Sequence, residues 1–206
     1  MLTITWLGHA CFLLEYRGFR ILLDPYQDVP GLPNTAVEAD AVYCSHDHFD
    51  HCYTEHVTLT GNKENPFTVR EVPCFHDPEQ GALRGPNTIR LFTAGGLTVA
   101  HMGDLGHFLS EEQAREMGHC DAMLMPIGGV YTLDAAQARE QAARLNPTVL
   151  IPMHYHKGPV GFDNIGTLED FTALFPADQV QTYDTNRLVL TPETPKQVAV
   201  LALPEF

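Results

Sequence analysis

Basic charge is scarce in this chain: 12 Lys plus Arg stand against 26 Asp plus Glu, for a formal net charge of -14 over 206 residues. Phosphate backbones are gripped by clustered basic side chains that release counterions, so this balance argues against an extended nucleic-acid partner. Long apolar runs are also missing; none approaches the roughly 20 residues that a membrane-spanning helix needs. The opening Met1-Leu2-Thr3-Ile4-Thr5-Trp6 has neither the basic start nor the apolar core of a secretory signal. A cytoplasmic protein with no membrane partner is therefore expected. Cysteine is sparse and odd in number, Cys11, Cys44, Cys52, Cys74 and Cys120, with no C-x-x-C pair. Neither a disulfide framework nor a zinc ribbon is indicated, and the expectation is buried free thiols. No repeat, low-complexity tract or linker is visible, so one domain spanning residues 1–206 is expected, a length at which a core forms without staples.

What is present begins as a meander. Leu2 to Leu7, Ala10 to Tyr16 and Phe19 to Asp24 are apolar and β-branched runs too short for helices, with Arg17-Gly18 as a turn. Pro25 to Pro33 reads as a loop, and Ala39 to Ser45 as a short buried strand. Thr88 to Ala94 and Leu97 to Met102 flank Gly95-Gly96, a hairpin signal. Ser110 with Gln113 makes a capping box and Gly118 a stop, which predicts a short helix. Beyond it, Asp121 to Ile127 and Thr148 to Met153 read as strands around an alanine-rich helix from Asp134 to Leu145, halted by Asn146-Pro147. Thr167 to Phe175 is a further amphipathic helix, and Gln179 to Tyr183, Arg187 to Leu190 and Val198 to Leu203 are strand-like. Strand-rich and alternating segments together suit a layered α/β sandwich.

Histidine is abundant, 11 residues, and its clustering carries the chemistry. His46-Asp47-His48-Phe49-Asp50-His51 packs three imidazoles and two carboxylates into one loop at a strand end, and His46, His48, Asp50 and His51 are the candidate ligands. Alternate residues of an extended segment point the same way, so His46 and His48 can converge on one ion. Imidazole and carboxylate are ligands that zinc and similar first-row metals accept, and the lack of thiolate in the cluster argues against a closed structural site. Chance supplies H-x-H-x-D-H in a chain of this composition about two times in a thousand.

The pattern resembles the signature of the metallo-β-lactamase superfamily. Trp6-Leu7-Gly8-His9-Ala10, Leu22-Leu23-Asp24-Pro25, His101-Met102-Gly103-Asp104 and Pro152-Met153-His154 are similar to that superfamily's order of motifs over nearly the whole chain, most closely to its small ascorbate-6-phosphate-lactonase-like hydrolases. The resemblance implies a four-layer αββα sandwich and a dinuclear site. His46, His48 and His76 would hold one ion, with an ordinary loop histidine, or a different third ligand in its place, as the alternative reading of His76. Asp50, His51 and His154 would hold the other, and Asp104 would bridge them.

The implied activity is hydrolysis of a small ester, lactone, amide or phosphoester by a hydroxide bound between two divalent ions. Zinc is the first expectation, with manganese or iron as alternatives. A locally positive centre in an acidic protein suits a small-molecule substrate, anionic ones included. Asp50 is expected to orient the nucleophile, and His101 or His107 to protonate the leaving group, against structural roles for both. Asp24 reads as a carboxylate that orients loops or a ligand imidazole, with a direct metal ligand as the alternative, and His9 as site wall or structural hydrogen bonder in equal measure. His156 is a further candidate at the pocket mouth, Arg84 and Lys157 are candidates to meet an anionic substrate group against plain solvation, and His56 and His119 read as surface or helix-end residues. Two alternatives stay open: an iron-dependent oxidoreductase of the same fold, disfavoured because His48 is retained, and a non-catalytic metal-binding module. The sequence is silent on oligomeric state.

Overall fold

The computed structural model describes residues 1–34, 36–61 and 63–204. Strands β1 (Leu2–Gly8), β2 (Cys11–Tyr16) and β3 (Phe19–Leu23) form the expected antiparallel meander. β13 (Arg187–Leu190) pairs with β1 and β5 (Ala41–Tyr43) runs parallel to β3, which completes a sheet of order β13-β1-β2-β3-β5. The second large sheet has the order β12-β14-β11-β10-β9-β8-β7. Its strands are β7 (Thr68–Phe75), β8 (Pro86–Ala94), β9 (Leu97–His101), β10 (Ala122–Pro126), β11 (Val149–Met153), β12 (Val180–Thr182) and β14 (Gln197–Val200).

The alternation of side chains along β2 and β3 explains the layering. Phe12, Leu14, Ile21 and Leu23 enter the main core, shared with Ile89, Leu91, Phe92, Leu124 and Ile151 of the other sheet. Cys11 and Leu22 face the opposite way and pack with Tyr26, Val29, Leu32 and Ala39. The five-stranded sheet is thus covered on its outer face by the Pro25–Pro33 loop and by a small parallel pair, β4 (Val37–Ala39) with β6 (Val57–Leu59). Truncating the fully buried Phe12 to Ala removes apolar contact on the inner face at a cost of about 3–5 kcal/mol. β10 and β11 are buried at every position and pair in parallel, as strands covered on both faces do. Helix α2 (Ala135–Leu145) packs on β10 and α1 (Glu111–Met117) on β7. Both helices start with a capping box, Ser110 with Gln113 as expected and Asp134 with Gln137 in addition.

Several expectations need adjustment. The strand foreseen from Ala39 to Ser45 breaks at Asp40, whose carboxylate accepts from the Arg20 N–H at 2.8 Å and from Thr60 Oγ1 at 2.5 Å. β4 therefore leaves for β6 while β5 stays on β3. The last helix, α3 (Leu168–Thr172), is shorter than Thr167 to Phe175, because the chain beyond it closes through tighter bonds, Leu174 N–H to Phe171 C=O and Phe175 N–H to Thr172 C=O. β7 is absent from the sequence reading: its charges and Pro73 mask the period, and it stands at a sheet edge where proline is tolerated. The cysteine expectation is corrected in part. Cys11, Cys74 and Cys120 are buried free thiols, but Cys44 and Cys52 are joined in a disulfide. The histidine loop turns back on itself, with the His51 and Cys52 N–H groups both donating to His48 C=O, and brings the Cα atoms of the two cysteines to 5.2 Å.

Candidate metal centre

Loops at the ends of strands converge on one point. Asp24, just past β3, accepts from Ser45 N–H at 2.7 Å and Ser45 Oγ at 2.5 Å, which fixes the entry to the histidine loop. The Gln27 N–H to Phe49 C=O and Tyr53 N–H to Pro25 C=O bonds tie that loop to the Pro25–Pro33 segment. The Arg90 guanidinium donates to Cys44 C=O and lies over the Tyr43 ring at 5.7 Å.

Two clusters result. His46, His48 and His76 offer ligand atoms that all lie within 4.8 Å of one another, and so do His9, Asp50, His51 and His154. Asp104 lies between them: its Oδ2 is 3.2 Å from the Nε2 atoms of His51, His76 and His154 alike. The sequence-predicted residues His46, His48, Asp50, His51, His76, Asp104 and His154 are thus brought together, and His9 joins them.

Each imidazole is set by its outer nitrogen or its backbone. His51 Nδ1 meets Asp24 Oδ2 at 2.7 Å, the orienting contact expected of Asp24. His76 Nδ1 donates to Tyr131 C=O at 2.9 Å, and the following loop is wound around Asp77, whose carboxylate accepts the N–H groups of Glu79, Gly81, Leu83 and Arg84. Asp104 hangs from Asn87, which accepts the Asp104 N–H at 3.0 Å and donates to Met102 C=O at 2.9 Å. Gly103 makes this approach feasible: at φ +54° a Cβ would stand 2.3 Å from Asn87 Oδ1 and 2.5 Å from Ser45 Cβ. Neither Asn87 nor Ser45 was legible as a site residue, since a buried amide far along the chain carries no local signal. Ser45 at least directly precedes His46.

Burial and mutual proximity polarise the cluster. Burial would lift the Asp104 carboxyl, but His154 and His51 hold it well below the usual range. Burial would lower His51, yet Asp104 and Asp24 hold it well above an ordinary imidazole. His46 falls to about 3 through burial and the neighbouring His51, and His9 to about 4 through burial and His154. Asp50 is held low against its burial by His9 and His51.

The donor set fits divalent cations. Among the described residues, both ring nitrogens of His9, the Nε2 atoms of His46 and His51, Nδ1 of His154 and Oδ1 of Asp104 are sealed from solvent with no hydrogen-bond partner. Each such orphan costs about 1–3 kcal/mol. Imidazole nitrogens and carboxylate oxygens that converge without partners are the donor types that first-row metal ions accept.

The two expected proton donors are corrected. His101 is buried with both nitrogens engaged, Nε2 to Ala10 C=O at 2.9 Å and Nδ1 with Gly103 N–H at 3.2 Å. His107 donates from Nδ1 to Phe108 C=O at 2.8 Å and accepts Phe75 N–H at Nε2 at 3.1 Å. Both imidazoles lace backbone together, which leaves no ring nitrogen to serve a substrate. His156 stays outside the clusters, 3.8 Å from Asp163, and His119 lies 3.8 Å from Asp121. His56 ends a short 3₁₀ turn. Arg84 lies over the Tyr131 ring at 5.6 Å, next to Gly85, whose carbonyl accepts His76 N–H. Lys157 forms a tight turn with Val160. A separate groove lined by Arg139, Phe175, Lys196 and Val198 shares no residue with the cluster.

Residues 3–154 match the family model of the beta-lactamase superfamily domain. A UPF0173 metal-dependent hydrolase of Methanosphaerula palustris is 33% identical over 189 residues, covering 76% of this chain and 84% of the relative. One of the same description from Carboxydothermus hydrogenoformans is 30% identical over 207 residues, covering 81% and 90%. A crystal structure from Thermotoga maritima, described as a candidate Zn-dependent hydrolase of the metallo-beta-lactamase superfamily, is 35% identical with a TM-score of 0.76, covering 99% of this chain and 100% of that one. The motif order, the two-sheet fold and these likenesses agree, and the chain belongs to the beta-lactamase superfamily, within its UPF0173 family of metal-dependent hydrolases.

Proposed function

We propose that this protein hydrolyses a small ester, lactone, amide or phosphoester at a centre of two divalent ions, zinc foremost. His46, His48 and His76 hold one ion, Asp50, His51 and His154 the other, and Asp104 is shared. The observation that carries this reading is the equal 3.2 Å reach of Asp104 Oδ2 to imidazoles of both clusters. Bound there, the ions supply Lewis acidity and a water ionised near neutral pH.

The chain's own residues do the rest. The Asp50 carboxylate is half-buried and lies 3.3 Å from His9 Nε2 and 3.8 Å from His51 Nε2, placed to orient the attacking water and to pass its proton on to the leaving group. With His101 and His107 committed to backbone, Asp50 is the group suited to that shuttle. Phe49, Leu83 and Val130 are exposed apolar side chains on the loops that also carry His48, His76's partner Gly85 and Tyr131. With Arg84 beside Tyr131, this rim favours a small anionic substrate with an apolar portion.

The test is metal analysis of the purified protein followed by a screen of chromogenic esters, lactones and phosphodiesters with and without chelator. Turnover that chelator abolishes and a divalent ion restores is expected. Hydrolysis indifferent to chelator, or a fully loaded protein inert toward every class, contradicts the reading.

A further inference from the structure

His9 is the residue that the expected ligand set does not absorb. It lies in the turn between β1 and β2, where the strand register shifts between Trp6 and Gly8. Its backbone is left-handed at φ 51°, a conformation that is strained for a non-glycine residue. That conformation is clamped from outside: His9 C=O accepts Trp6 Nε1–H at 3.0 Å and His154 N–H at 3.3 Å. The side chain is 3% exposed, and neither ring nitrogen has a hydrogen-bond partner among the described residues.

The ring is aimed into the second cluster. Nε2 lies 3.3 Å from Asp50 Oδ2, and the ring centroid is 4.1 Å from that of His154 and 5.2 Å from that of His51. A ligand atom of His9 is within 4.8 Å of those of Asp50, His51 and His154. A histidine whose task was only to brace Asp50 would be expected to anchor its other nitrogen on an outer acceptor, as His101 and His107 anchor both of theirs. His9 instead shares the condition of His154, an inward ring whose Nδ1 has no hydrogen-bond partner.

We propose that His9 is a further protein ligand of the ion held by Asp50, His51 and His154. This rests on the dinuclear reading above and extends it. The second position then has one more protein donor than the first, so it binds its ion more tightly and keeps fewer open coordination sites. Substrate is left to the first position, at His46, His48 and His76.

The test compares wild type, His9→Ala and His9→Gln by competitive chelator titration with zinc and by the absorption bands of the cobalt-loaded proteins. Wild type should take up two ions; failure of that result alone sinks the dinuclear reading, whatever His9 does. His9→Ala should weaken the tighter ion by more than the about 10–100-fold seen for outer partners of ligands, and should alter the cobalt bands. His9→Gln, which keeps a donor toward Asp50, should not restore either property. Unchanged affinity and bands in His9→Ala, or recovery in His9→Gln, would show a mere brace and overturn the proposal. Should the variants fail to fold, 15N NMR of the wild-type imidazoles decides: a His9 ring resonance that does not move on zinc addition refutes it.

Discussion

The two halves of the cluster are built on different principles. Both halves draw on the same histidine loop: His46 and His48 are joined by His76 from the end of β7, whereas Asp50 and His51 are joined by His9 and His154 from the ends of β1 and β11. The first half opens to solvent through His48, while His9, His51 and His154 are sealed. The second half also carries the backbone strain: His9, Asp24 and His154 have φ of 51°, 43° and 53°. Strain of this kind persists only where surrounding contacts over-determine it. One loop thus seeds both halves, and the strand ends that carry His9 and His154 make the second one sealed and rigid.

Variants that break this comparison range from large effects to small. Asp104→Ala removes the carboxylate both halves share, so kcat/KM should fall about 1,000-fold or more and the protein should retain at most one tightly bound ion, as measured by steady-state kinetics and elemental analysis. Wild-type metal content and rate in that variant would dissolve the link between the halves. Asp24→Ala leaves every proposed ligand in place but frees His51 and Ser45; ion affinity in the rigid half should drop about 10–100-fold, the usual cost of losing an orienting partner, in the same chelator titration. An equal loss in both halves would erase the distinction. Opening the Cys44–Cys52 bridge with Cys44→Ser should cost about 2–3 kcal/mol in denaturant unfolding, on the loop-entropy estimate for so short a ring, and should weaken binding of both ions, because the ring carries His46, His48, Asp50 and His51. Arg84→Glu should leave both ions bound and raise KM for an anionic substrate several-fold; an unaltered KM removes Arg84 from the rim's role.

The contrast also explains what the sequence could disclose. The histidine loop, the strand-end Asp24, the Gly103-Asp104 pair and His154 were legible because short motifs at strand ends carry their own spacing. The meander, the Gly95-Gly96 hairpin and the capped helices were legible because alternation and capping are local. The Cys44–Cys52 bridge was not, since nothing in the spacing says that the loop doubles back. His101 and His107 misled for a similar reason: an imidazole near a site is indistinguishable in sequence from one that ties backbone together, and only the Ala10, Gly103, Phe75 and Phe108 contacts separate them. β7 was hidden by edge-strand charges, and Asn87 by being an isolated amide whose partners lie far away in sequence.

The most direct measurement is anomalous diffraction at the zinc edge from crystals of the protein grown with zinc. The account predicts two peaks flanking Asp104, one contacted by His46, His48 and His76 and the other by Asp50, His51 and His154. A crystal rich in zinc with no peak beside Asp104, its imidazoles turned away from one another, would contradict it.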